Sequence, residues 1–119
     1  FKSPAAEDLP EESKNARFQL IRPVHRTAAS ETYVIMLSAL GETEIEQRFV
    51  TARQLAATHQ YSSVIMTPPS YGIRKPADQT LFMMKTTSDH FLQTLAVYEE
   101  SAMLAKHFLR KSDDTKVCL

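Results

Sequence analysis

Glycine is nearly missing from this chain: Gly41 and Gly72 are its two instances in 119 residues, and they stand far apart. A P-loop, a dinucleotide-binding fingerprint and a G-x-S-x-G nucleophile elbow each need glycines a few residues from one another, so none of the three is encoded here. Cysteine is scarcer still. Cys118 alone rules out an internal disulfide and suits a reducing compartment, and its penultimate place misses the prenylation pattern, which needs cysteine fourth from the end. Long apolar runs are absent too, the longest being Tyr33-Val34-Ile35-Met36-Leu37, against about 20 residues for a bilayer span. This predicts a soluble chain. With 14 basic residues against 14 acidic ones, no global field draws the chain to nucleic acid or to an anionic membrane. The first residue is Phe1 rather than Met, which gives the expectation of a processed mature form.

Local chemistry is equally thin. His25, His59, His90 and His107 never stand three or four apart, the spacing that puts metal ligands on one helix face. Glu99 and Glu100 are adjacent, so on a helix they point about 100° apart and read as a solvated face rather than a facing carboxylate pair. Tyr98 reads as a core residue with a hydrogen-bonded hydroxyl. On these grounds the sequence predicts no catalytic residue, no cofactor and no metal.

What is present is packing. Phe91, Leu95, Tyr98, Ala102, Ala105 and Leu109 recur in alternating steps of four and three, the period of one α-helical face. Val97, Leu104 and Phe108 widen that stripe beyond what one neighbouring element covers, and so predict a partner-binding face on a helix from Ser88 to Lys111. Ser88 and Asp89 supply its expected N-cap and first-turn carboxylate, and Lys106, His107, Arg110 and Lys111 suit its C-terminal dipole.

Residues 1–15, with Pro4, Pro10 and the acidic Glu7, Asp8, Glu11 and Glu12, read as a flexible arm. Arg17 to Arg22 is a short strand with Phe18 and Leu20 on one side, placed at a sheet edge by Pro23. Thr32 to Leu40 reads as a buried strand in preference to a helix ending at Gly41. Thr43 and Glu46 form a capping box for a helix running to Thr58, whose Ile45, Phe49, Ala52, Ala56 and His59 follow at steps of four and three. Ser62–Thr67 and Thr80–Thr87 complete four strands, the second with Met83 and Met84 on opposite faces. Residues 112–119 read as a frayed tail after a single domain at 16–111.

The order is ββαββα, which predicts a small α+β domain: a mainly antiparallel four-stranded sheet with two helices on one face. The loop PPSYGIRKPAD offers Tyr71, Arg74 and Lys75 as an exposed contact candidate for RNA, phosphate or an acidic protein surface. Residues 50–56 with Tyr61 to Ser63 resemble a DNA-reading helix-turn-helix, but Val64-Ile65-Met66 is β-prone where a recognition helix should continue. The function expected from sequence is therefore a non-catalytic subunit of a larger assembly, docking on a protein partner or a second copy through Val97, Leu104 and Phe108. The alternative is a small nucleic-acid-binding module using Arg17, Arg22, Arg26, Arg74 and Lys75 as a local basic patch.

Overall fold

The computed structural model describes residues 1–25, 27, 30–38, 46–80 and 84–119. Within them, strands β1 (Arg17–Ile21), β2 (Thr32–Met36), β3 (Ser62–Thr67) and β4 (Lys116–Cys118) alternate with helices α1 (Glu46–His59) and α2 (Thr87–Leu109) in the order β1-β2-α1-β3-α2-β4. β3 matches the sequence expectation because the run Ser62-Ser63-Val64-Ile65-Met66-Thr67 is β-branched and apolar, and Pro68-Pro69 then denies further ladder donors. α1 has no glycine or proline between its ends. It stops at Gln60, whose left-handed φ of 58° turns the chain and lets Tyr61 N–H reach Leu55 C=O at 3.2 Å. The capping residues Thr43–Ile45 expected for this helix lie outside the described residues.

The sheet runs β1-β3-β2-β4 and is mixed. β1 is antiparallel to β3, whereas β2 lies parallel to both β3 and β4, so the expected mainly antiparallel character is corrected. The fourth strand is also not where sequence puts it. Thr80 and Met84–Thr86 have no strand structure, Thr87 already belongs to α2, and Leu81–Met83 lie outside the described residues. The strand comes instead from the C-terminal residues read as a frayed tail, with Lys116 N–H bonded to Glu31 C=O at 2.9 Å.

This pairing changes where the helices lie. Tyr33 and Ile35 of β2 and Val64 and Met66 of β3 form one buried cluster with Leu104 and Phe108 of α2. Alternation turns Ser63 and Ile65 to the opposite face, where they are also buried and where α1 packs against β3 and β1. Parallel crossovers follow the right-handed rule almost without exception, and two that leave in opposite directions then put their helices on opposite faces, in place of the one helical face expected.

Helix α2 is rotated relative to its sequence reading. Its buried residues are Gln93, Ala96, Glu100, Ser101, Leu104 and Phe108, whereas Phe91 is 69% exposed, Leu95 52% and Tyr98 64%. Leu104 and Phe108, expected to meet a partner, are the core, and of the stripe expected to be core Phe91, Leu95, Tyr98, Ala102 and Leu109 face outward while Ala105 packs against that core. The helix starts at Thr86 rather than Ser88: Thr86 Oγ1 accepts Asp89 N–H at 3.1 Å and Asp89 Oδ2 accepts Thr86 N–H at 2.9 Å, a reciprocal capping box.

The N-terminal segment is folded, not a free arm. Ala5 and Leu9 bury themselves against Ala96 of α2, Ser13 is fully buried, and Lys2 pairs with Asn15 in an isolated antiparallel bridge.

Candidate functional site

The carboxyl ends of the parallel strands β2 and β3 open into a cleft of about 170 Å³. Leu37 and Ser38 leave β2 into it, Pro68 and Tyr71 follow β3, and the N-terminal half of α2 closes the far side with His90, Gln93, Thr94, Val97 and Tyr98. The chain moves from β2 outward to β3, then crosses back to β4 on β2's other side. Strand order reverses at β2, and open sheets of this kind bind ligands beyond their carboxyl ends at such a reversal.

The wall built by residues 68–79 is held by a buried ion pair. Arg74 and Glu100 are 1% and 0% exposed, and the guanidinium meets the carboxylate in a two-pronged contact, Nη1 to Oε2 at 2.9 Å and Nη2 to Oε1 at 2.7 Å. The same two nitrogens donate to Thr67 C=O at 2.7 Å and Ser13 C=O at 2.6 Å. Ser13 returns the contact by donating its hydroxyl to Arg74 C=O at 2.6 Å and accepting Ser70 N–H at 2.9 Å. Gln93 Nε2 donates to Pro69 C=O at 2.9 Å, fixing the loop to α2. Ser70 holds a left-handed φ of 64°, sparsely populated for a residue with a side chain, and that strain persists because the surrounding bonds over-determine it.

These contacts revise the expected sites. Tyr71 and Arg74 are buried and only Lys75 is exposed, so the loop is a structural wall rather than a solvated contact surface. Arg74 is spent on Glu100 and drops out of the basic patch, and Arg26 lies outside the described residues. Glu100 is not a solvated residue, and Tyr98 is not a core one. Val97 is half-buried and lines the cleft. Sequence reasoning missed Ser13, His90, Gln93 and Glu100. One signal for the last two was available: Gln93, Ala96, Glu100 and Leu104 share a helical face, so a polar pair falls at apolar spacing.

Among the described residues no three His, Cys, Asp or Glu side chains converge on a metal position, and no helix is long and apolar enough to cross a membrane. A four-stranded mixed sheet, two helices and a cleft at the strand ends make this a small α+β domain. Residues 1–118 match the family described as Alpha/beta hydrolase domain containing 18, and the chain belongs to that family. No solved structure matches it. A hydrolase-domain family lends no support to the expectation of a non-enzyme.

Proposed function

We propose that these residues form the substrate-binding wall of a hydrolase. The observation that carries this reading is the cleft at the carboxyl ends of β2 and β3, in a chain of an α/β-hydrolase family. In α/β-hydrolases the nucleophile stands on a G-x-S-x-G elbow, and a backbone N–H from a strand-to-helix loop stabilises the developing oxyanion. With glycines only at 41 and 72, the 119 residues hold no such elbow. The role assigned to this chain is therefore to bind and orient the substrate, with Leu37, Ser38, Pro68 and Val97 as cleft walls. His90 adds an imidazole to the cleft wall for proton handling beside the substrate.

The purified protein, offered a panel of p-nitrophenyl esters, should bind at least one of them, with amide NMR shifts centred on the cleft. Val97→Trp, which fills the cleft, should weaken that binding about tenfold or more while the fold, read by circular dichroism, stays intact. No binding across the panel, or an unchanged affinity in a folded variant, overturns the reading.

The open stripe of α2 favours a second reading, in which this face is covered by another element or chain. Docking would then use Phe91, Leu95 and Tyr98 rather than Leu104 and Phe108.

A further inference from the structure

Gln93 lines two cavities. Besides the cleft, it borders a larger, half-open space of about 500 Å³ between the N-terminal segment, residues 70–79 and the first turns of α2. That volume lies within the range of small-molecule sites, which join an apolar body to a few convergent polar groups. Leu9, Pro10, Met84 and Leu92 supply apolar surface.

The charge around this cavity is one-sided. Among the described residues, Asp8, Glu12, Asp78 and Asp89 line it against a single ammonium, Lys85. Two of the four carboxylates are committed: Asp78 pairs with Lys85, and Asp89 caps α2 by accepting Thr86 N–H. Asp8 and Glu12 have no ion pair or side-chain hydrogen bond among the described residues. An anionic ligand would meet unbalanced negative charge, whereas a cation would find two carboxylates without partners beside an apolar floor. A bare metal ion does not suit the space, because no three ligating side chains converge among the described residues.

We propose that this cavity binds a small organic cation, its apolar body against Leu9, Met84 and Leu92 and its ammonium group facing Asp8 and Glu12. The site is separate from hydrolysis and does not depend on it. Three probes of matched shape and different charge test it on the full chain by titration calorimetry and amide NMR: 4-phenylbutylamine, 4-phenylbutanol and 4-phenylbutyrate.

The amine should bind about tenfold more tightly than the alcohol, the carboxylate should bind least, and shifts should centre on Leu9, Leu92 and Gln93. Asp8→Asn with Glu12→Gln changes two exposed side chains and should bring the amine down to the affinity of the alcohol, with an unaltered melting curve. Leu92→Trp, which occupies the apolar floor, should abolish binding of the amine. Equal binding of all three probes, no amine binding at about 10 mM, shifts centred elsewhere, or an amine affinity indifferent to the Asp8 and Glu12 changes would each overturn the proposal.

Discussion

Arg74 carries more structural consequence than any other single side chain described. Its guanidinium joins three segments distant in sequence: Glu100 on α2, Thr67 at the end of β3 and Ser13 in the N-terminal segment. A buried ion pair is not by itself a source of stability, since desolvation offsets much of the attraction, but removing one partner leaves an uncompensated buried charge. Arg74→Ala and Glu100→Ala should therefore each cost about 3–5 kcal/mol in urea unfolding, and the double variant Arg74→Ala with Glu100→Ala should cost less than the two single changes added. Simple additivity would show that the two groups do not act as a pair. The pairing was not legible in the sequence, because its members are 26 positions apart and each has an ordinary surface reading alone. Glu99 beside Glu100 looks like a solvated acidic step, and Arg74 beside Lys75 looks like a solvated basic one.

At the level of elements, legibility followed length and period. β3 and most of β1 were readable because β-branched and apolar residues are bounded by prolines, and Phe18 and Leu20 do share a face, opposite Met66 and Val64 of β3. β4 was not, since three residues following a polar run have no period to detect. For α2 the existence and length were legible, but its orientation was not. Both faces carry apolar side chains, and the buried one is chosen by Glu100, Gln93 and Ser101 finding partners inside, at Arg74, Pro69 and Met66. The choice is measurable. Leu104→Ala should cost about 2–5 kcal/mol, whereas Phe91→Ala and Leu95→Ala should stay within about 0.5 kcal/mol. Thr86→Ala should cost about 1 kcal/mol through the lost cap, and Ser88→Ala close to nothing. Thermal or denaturant midpoints separate these outcomes, and a costly Phe91→Ala would return the stripe to the core.

For the molecule as a whole, the missing information was which strands become neighbours. An alternation of strands and helices was evident, but a hairpin drawn through Thr80–Thr87 made the sheet antiparallel and used up the role that β4 fills. Parallel pairing depends on contacts made across a helical crossover, and nothing within either strand announces it. Deleting residues 112–119 tests the corrected topology. A frayed tail would leave the melting temperature unchanged, whereas loss of β4 and of Val117 from the core should lower it by more than about 4 °C.

Tyr33 lies fully buried in β2, its ring stacked on Phe108 with centroids 4.0 Å apart and its hydroxyl accepting from Lys111 Nζ at 3.0 Å. Tyr33 and Lys111 are 78 positions apart. At a synthesis rate of about 5–20 residues per second, this ring waits roughly 4–16 s after its own synthesis for the residues that cover it. Throughout that interval β2 also lacks its β4 neighbour, leaving an apolar strand with an unpaired edge on a growing chain. Synthesis of β4 is thus what ends the exposure of this edge of β2, and until then the stretch Thr32–Met36 is where a ribosome-associated chaperone would find its binding site.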